Sequence, residues 1–235
     1  MDFSPLLKSL NITITDSDLL IRAFTHRSRL NEHDAAERSN ERLEFLGDAV
    51  LELVATEYLF KNFDQLDEGQ LTSLRSALVR GKNLAKVARK IGLNNYMLLS
   101  KGEENSGGRN KDYILANMTE AFIGAIYIDQ GPAAATDFID KHILTTLTEI
   151  ISQKLHIDPK TFIQELTQEM FGLTPTYQVV GESGPDHNKI FTMACYLGER
   201  KLAEGSDSSK QKAEQQAARL SIDILQSEIN IVEDL

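Results

Sequence analysis

Four acidic side chains recur along one side of a predicted helix in the first quarter of the chain. Glu41, Glu44, Asp48 and Glu52 follow one another at spacings of three or four residues in the segment NERLEFLGDAVLE. At about 100° per residue, these spacings place the carboxylates in one stripe. Neighbouring carboxylates repel by roughly 0.2–0.5 kcal/mol per pair, and no Lys or Arg lies within the stripe. The pattern indicates a cation site, with a plain solvated acidic face as the alternative.

A further acidic residue lies in a segment that is otherwise apolar. Residues 113–129, YILANMTEAFIGAIYID, are apolar nearly all the way round, which predicts a buried helix. Glu120 is the only charged residue before the last position, and Asn117 precedes it on the same face. A buried carboxylate is costly unless it is paired or bound to a metal. Glu120 therefore belongs to a metal site or pairs with an arginine such as Arg42 or Arg75.

The donor atoms in these two segments are carboxylate and amide oxygens. Such ligands suit Mg²⁺ or Mn²⁺, which keep several waters and need few protein ligands. A di-iron site in a four-helix bundle is the competing metal site. It requires Glu-x-x-His pairs, whereas Glu120 is followed three residues later by Ile123. The sequence therefore predicts that acids from two helices converge on a magnesium or manganese site.

Composition restricts the class of protein. The chain has 235 residues, a formal net charge of −10 and a single cysteine, Cys195. One cysteine allows no intramolecular disulfide and no thiolate zinc site, so we expect a reducing, cytoplasmic setting. We expect neither a signal peptide nor a membrane span. Because the chain is acidic overall, binding of a polyanion must depend on local basic clusters or on bound metal.

Helical periodicity dominates the first two thirds of the chain. It predicts an all-α domain of some seven helices over residues 1–153, followed by a linker at 154–159 where polar residues and Pro159 interrupt the pattern. Turn residues separate the helices at 31–34, 64–69, 92–95, 102–108 and 131–132. One amphipathic helix runs from Asn40 to about Phe60, and its predicted apolar side carries Leu43, Leu46, Val50, Leu53 and Val54.

After the linker the pattern changes to alternating segments flanked by helices. We predict a helix over 161–171, strands over 176–182, 189–198 and 200–205, and an Ala-rich helix over 209–226. The order α-β-β-β-α predicts a two-layer α+β unit over 160–226, with a sheet on one side and helices on the other. An acidic tail over 227–235 follows.

Several of these segments together resemble one known family. The run ERLEFLGDA at 41–49, together with AFTHRS, SALVRG, GGR and ILANMTEAFIGAIYID, closely resembles bacterial ribonuclease III. Residues 160–226 look like the double-stranded-RNA-binding domain that follows the catalytic domain in that family. The resemblance covers essentially the whole chain. The fold it implies is an all-α endonuclease domain followed by an α-β-β-β-α RNA-binding domain.

The resemblance implies a function for the whole chain. It implies a divalent-metal-dependent endonuclease, a C2 homodimer, that cuts double-stranded RNA to leave 5′-phosphate and 3′-hydroxyl ends. Processing of ribosomal RNA precursors and some mRNAs is the implied role. The alternative is a non-catalytic scaffold that binds double-stranded RNA. Its support is Asn117, which stands where the family commonly has Asp.

Site residues can be carried over from the family by position. The resemblance implies that Asp48 and Glu120 are catalytic, that Glu41 supports the site by hydrogen bonding, and that Phe45 packs into the partner subunit. The implied metal ligands are Glu44, Asp48, Asn117 and Glu120. An amide oxygen can still ligate Mg²⁺, so Asn117 leaves the site functional with one less negative charge.

The resemblance also implies three regions that contact RNA in the second domain. Such domains read the shape, phosphates and 2′-hydroxyls of a duplex. The implied contacts are Gln164 and Glu165 on the first helix, Pro185, Asp186 and His187 in a loop, and Ser209, Lys210 and Lys212 at the start of the last helix, where the helix dipole also favours phosphate. Two residues of the first domain, His26 and Lys111, are undecided between structural roles and phosphate contact.

Overall fold

The structure is a computed structural model that describes residues 2–31, 38–185 and 188–233. The chain divides into two units, Met1–His156 and Ile157–Leu235. The division falls inside the linker predicted at 154–159. None of the described helices combines the length and the apolarity needed to cross a membrane.

The first unit is helical, as the sequence predicts. Where the chain is described, short turns and 3₁₀ segments join its helices. In the described residues they are α1 (Ser4–Leu10), α2 (Ser17–Ala23), α3 (Glu41–Asn62), α4 (Glu68–Val79), α5 (Gly81–Lys90), α6 (Lys101–Asn105), α7 (Asp112–Gln130), α8 (Pro132–His142) and α9 (Leu147–Ser152).

The first unit contains more helices than the expected seven because some are very short. Helix α6 has five residues and lies where Gly102 and Gly108 predict only a turn. Its first turn is capped by Ser100, whose Oγ accepts a hydrogen bond from the backbone N–H of Glu103 at 3.1 Å. A helix of this length is shorter than the window that apolar periodicity requires, so the sequence pattern does not reveal it.

Helix α7 forms the centre of the first unit and is buried on nearly every side, as predicted. Phe122 in its middle lies between two other aromatic rings. Its ring centroid is 5.4 Å from that of Phe24 and 5.4 Å from that of Phe138. Such offset and edge-on aromatic contacts add to the burial of apolar area. The core therefore holds α7 in a fixed position.

Helix α3 buries a different side from the one that its apolar residues predict. The prediction that Leu53 lies on the buried apolar side is wrong, because its side chain is 68% exposed. The small residues Gly47 and Ala55 let α3 approach its neighbours, so the line through them becomes the buried side. The buried positions are Leu43, Gly47, Leu51, Ala55 and Leu59.

Helices α3 and α7 cross in direct backbone contact at two glycines. A Cβ atom built on Gly47 would lie 1.7 Å from the backbone oxygen of Glu120. A Cβ atom on Gly124 would lie 2.3 Å from the backbone oxygen of Leu43. Neither position can accept a side chain unless the helices move apart. The crossing therefore sets the distance between the acidic residues of α3 and those of α7.

The second unit has the predicted α-β-β-β-α order. It contains α10 (Pro159–Phe171), β1 (Thr176–Ser183), β2 (Ile190–Leu197), β3 (Arg200–Asp207) and α11 (Lys210–Glu233). The strands form an antiparallel sheet in the order β1-β2-β3. Helix α11 continues seven residues past the predicted end at Gln226, because no Gly or Pro follows to stop it. Most of the expected acidic tail is therefore helical.

One face of the sheet packs against α10 and α11. The register places Cys195 of β2 opposite Tyr177 of β1 and Ala203 of β3. Cys195 is fully buried, and its thiol lies close to the hydroxyls of Tyr177 and Ser221. The core of this unit consists of Ile163, Cys195, Leu202, Ala217, Ala218, Ile222 and Leu225.

We predict that Gly47→Ala destabilises the first unit. The added methyl group overlaps the backbone of Glu120, and overpacking of this kind costs about 1–3 kcal/mol or more. Urea unfolding of the full chain measures the change. Gly102→Ala is the matched control, because its Cβ would meet nothing closer than Ser100 Oγ at 3.9 Å. Equal stability of the two variants would contradict the backbone contact.

Candidate functional site

The crossing of α3 and α7 brings the four predicted metal ligands near enough to interact with one another. Glu44 and Asp48 come from α3, and Asn117 and Glu120 come from α7. Burial raises the pKa of Glu120 to about 8, and the negative charges of Asp48 and Glu44 add to the effect. This mutual repulsion shows that carboxylates from the two helices face a common space.

The surroundings of Glu44 also disfavour its ionised form. Burial raises its pKa above the usual range, and the charges of Glu41 and Asp48 act in the same direction. A hydrogen bond with the Asn117 amide acts in the opposite direction, because it stabilises the ionised carboxylate. Asn117 therefore already contacts one of the acids with which it is predicted to share a site.

Basic residues pair with both ends of the acidic stripe but not with its middle. Arg27 lies 3.6 Å from Glu41, and Arg75 lies 3.0 Å from Glu52. Among the described contacts, neither Glu44 nor Asp48 has a basic partner. The stripe is thus a solvated ion-paired face at its ends and an uncompensated acidic cluster at its centre.

The structure does not support the alternative of a buried salt bridge at Glu120. Arg75 is engaged by Glu52 and by the hydroxyl of Thr56 at 3.1 Å. Arg42 lies instead near Arg22, whose pKa is lowered first by burial and then by neighbouring arginines. In the part of the chain that the structure describes, Glu120 has no ion-pair partner. Its charge is left for a bound cation or a proton to neutralise.

The donor set fits a hard divalent cation that keeps part of its hydration shell. In the described residues, no three His, Cys, Asp or Glu side chains are grouped closely enough to cage a metal alone. Mg²⁺ does not require such a cage, because one or two carboxylates and several waters commonly suffice. The raised pKa of Glu120 is the observation that favours the fit, since a cation would relieve the repulsion that causes it.

An open cleft of about 920 Å³ adjoins Glu44 and Asn117. Its lining includes residues that the sequence does not assign to a site, notably Ser28, Glu103 and Tyr113. The lining residues are His26, Arg27, Ser28, Asn40, Glu41, Glu44, Glu103, Tyr113 and Asn117. The cleft leaves room for a substrate strand beside the acidic cluster.

His26 and Lys111, the two undecided residues, both have local partners. The Nδ1 atom of His26 accepts a hydrogen bond from the Ser28 backbone N–H at 3.3 Å and lies 2.9 Å from the Ser28 hydroxyl. Burial lowers the pKa of His26, which favours the neutral ring. Lys111 Nζ lies 2.7 Å from Glu103 and 3.0 Å from Ser106. His26 lines the cleft, whereas Lys111 is already engaged in an ion pair.

A row of exposed apolar side chains runs along α3 beside the acidic stripe. Phe45 is 80% exposed, Leu53 68% and Phe60 73%. Their spacing of eight and seven residues places them on one side of the helix. Phe45 is therefore not a core residue of its own subunit, as an ordinary packing role would require.

The second unit exposes the residues predicted to contact RNA, as far as it is described. Gln164 and Glu165 are exposed on α10, and Pro185 is exposed after β1. Ser209 immediately precedes α11, and its Oγ accepts a hydrogen bond from the backbone N–H of Lys212 at 3.3 Å. Lys210 is the first residue of the helix. Asp186 and His187 lie outside the described residues.

Sequence comparison divides the chain in the same way as the fold does. Residues 16–147 match the family model described as ribonuclease-III-like. Residues 159–225 match the model of the double-stranded RNA binding motif. The first match covers α2 to the start of α9, and the second covers the α-β-β-β-α unit.

Curated relatives match nearly the full length. The chain is 43% identical to ribonuclease 3 of Sulfurovum sp. over 224 residues, covering 95% of this chain and 98% of the relative. It is 42% identical to ribonuclease 3 of Geobacillus kaustophilus over 226 residues, covering 96% and 92%. The match therefore includes both units.

A solved structure matches the first unit. It is the nuclease domain of ribonuclease III from Campylobacter jejuni, with 44% identity and a TM-score of 0.57, covering 60% of this chain and 96% of that chain. The match agrees with the helical fold around the acidic cluster. Together with the full-length relatives, it decides against both a di-iron bundle and a non-catalytic scaffold. The chain belongs to the ribonuclease III family, whose members are generally Mg²⁺-dependent, and is an endoribonuclease that acts on double-stranded RNA.

Proposed function

We propose that Glu44, Asp48, Asn117 and Glu120 hold Mg²⁺, or Mn²⁺ in its place, and that duplex RNA is hydrolysed there to leave 5′-phosphate and 3′-hydroxyl ends. The observation that carries this proposal is the gathering of carboxylates from α3 and α7 without a basic partner among the described residues. The burial and repulsion that raise the pKa of Glu120 to about 8 disfavour its ionised form unless a cation binds.

The side chains have different roles at the proposed site. Bound Mg²⁺ would supply charge neutralisation at the scissile phosphate and activation of water. Asp48 and Glu120 are the proposed catalytic residues, and Glu120 must lose its proton before it can act as a ligand. Glu41 is positioned by Arg27 at 3.6 Å and by the Ser39 hydroxyl at 2.8 Å. It supports the cleft wall beside Glu44.

We expect Glu120→Gln to reduce cleavage of a long RNA duplex in Mg²⁺ by at least about two orders of magnitude, the scale of removing one electrostatic group from an active site. Duplex binding should persist, because the second unit is unchanged. Glu52→Gln is the matched control, since Glu52 lies on the same stripe but pairs with Arg75. Cleavage by the Glu120 variant at the wild-type rate would refute the ligand assignment.

Asn117→Asp should lower the Mg²⁺ concentration needed for half-maximal cleavage. The substitution adds a carboxylate to the site and removes the amide that hydrogen-bonds Glu44. The added carboxylate increases the negative charge that a cation neutralises, and this outweighs loss of the hydrogen bond that stabilises ionised Glu44. Cleavage rates measured over a series of Mg²⁺ concentrations test this. An unchanged or higher requirement would argue against Asn117 as a ligand.

We infer a homodimer formed through the exposed side of α3. Phe45, Leu53 and Phe60 present an apolar row that an aqueous surface does not favour. One site can cut only one strand, whereas two sites related by a twofold axis cut both strands at a fixed offset. The solved nuclease domain from Campylobacter jejuni has structural flexibility in a region involved in dimer formation, and dimer formation by that relative supports a dimer here.

Phe45→Gln should weaken self-association by about tenfold or more, as the loss of an aromatic anchor at an interface commonly does. Sedimentation equilibrium of the full chain gives the dissociation constant. Ile21→Gln, at a residue on α2 that is 43% exposed, removes a similar apolar side chain away from the row. If the two variants associate equally well, the α3 row is not the interface.

We further propose that the second unit contacts the duplex through Gln164, Glu165, the loop containing Pro185, and the start of α11. Lys210 and Lys212 at a helix N-terminus suit a phosphate. The cellular role proposed is the cytoplasmic processing of ribosomal RNA precursors and some mRNAs. It is supported by membership of the family.

A further inference from the structure

One carboxylate in the second unit, that of Glu182, forms ion pairs with two lysines. Glu182 lies near the end of β1. Its Oε2 is 2.6 Å from Nζ of Lys189, the residue before β2, and its Oε1 is 3.8 Å from Nζ of Lys210. Hydrogen bonding with Lys189 is the main cause of a lowered pKa at Glu182. The carboxylate is therefore ionised at neutral pH and bridges the loop after β1 to the start of α11.

The aromatic ring of Phe191 draws the two lysines together. Nζ of Lys189 is 5.6 Å from its ring centroid, and Nζ of Lys210 is 5.4 Å from it. Cation–π attraction at this distance favours placement of both ammonium groups over the ring. The cluster is still open to solvent, because the side chain of Lys210 is 53% exposed and that of Glu182 36%. A phosphate can therefore reach the lysines.

We propose that Glu182 attenuates the affinity of this protein for double-stranded RNA by acting as an internal counter-anion for Lys189 and Lys210. The proposal rests on the phosphate contact assigned above to the start of α11. A phosphate that binds Lys210 must share its ammonium group with the carboxylate, which stays a few ångströms away as a repelling charge. Each lysine already neutralised within the protein also releases fewer counterions from the RNA.

A reduced affinity for duplex RNA suits an enzyme that must release its products. The second unit binds a duplex through its shape and backbone, and cleavage changes neither feature in the fragments. Tight binding by the lysines would therefore hold products as firmly as substrates. A competing carboxylate on the same surface limits this retention without removing the lysines.

The test compares duplex binding by variants of the full chain in a chelating buffer, where no cleavage occurs. A labelled duplex of about 30 base pairs exceeds the roughly 16 that one such domain spans. We expect Glu182→Gln to tighten binding about two- to fivefold, the range in which surface ion pairs act. Glu204→Gln is the matched control, because it removes an equal charge from β3, where Glu204 pairs with Lys201 at 2.7 Å.

Two further measurements distinguish failure of the proposed attenuation by Glu182 from failure of the phosphate contact at Lys210 on which it rests. Glu182→Gln should make the dependence of affinity on salt steeper, whereas Glu204→Gln should leave it unchanged. Unchanged or weaker binding by Glu182→Gln, or an equal gain in Glu204→Gln, would overturn the attenuation. Lys210→Gln tests the phosphate contact itself. If this variant binds as tightly as the wild type, the assigned contact fails, whereas weaker binding without a gain in Glu182→Gln defeats only the inference.

Discussion

Direct contact between the backbones of α3 and α7 is the constraint on which the proposed active site depends. Gly47 and Gly124 leave no space for a side chain at the crossing. Ordinary helix packing keeps axes about 8–10 Å apart, with side chains between them. At this crossing no side chain separates the helices, so carboxylates on α3 and α7 can approach one another. The backbone contact that lets the two helices pack closely therefore also creates the repulsion within the acidic cluster.

The rest of the first unit compensates for this repulsion. Helix α7 is buried among apolar residues on its other sides, and Phe122 is fixed between Phe24 and Phe138. Burial of this area contributes far more stabilisation than a few carboxylate contacts remove. The acidic cluster leaves the half-buried carboxylates of Glu44 and Glu120 without a basic partner among the described residues, and such departures are typical of functional sites. Arg27 and Arg75 limit the unpaired charge to the centre of the stripe.

Much of this arrangement could be predicted from the sequence, since it depends on local pattern. The buried helix α7, the acidic stripe and the α-β-β-β-α order follow from residue spacing alone. What could not be predicted depends on contacts between distant segments. The exposure of Leu53 follows from the approach of α7, and the pairing of Glu52 with Arg75 joins two helices. The bridge from Glu182 to Lys210 likewise requires the sheet register.

The complete burial of Cys195 gives the chain a natural reporter of local opening. It is the only thiol in the sequence, and it lies in the core of the RNA-binding unit. Burial raises its pKa, so the reactive thiolate is scarce while the unit is closed. Alkylation by a small thiol reagent must therefore wait until that unit opens. The labelling rate therefore measures local opening of the RNA-binding unit alone, because the nuclease unit contains no cysteine.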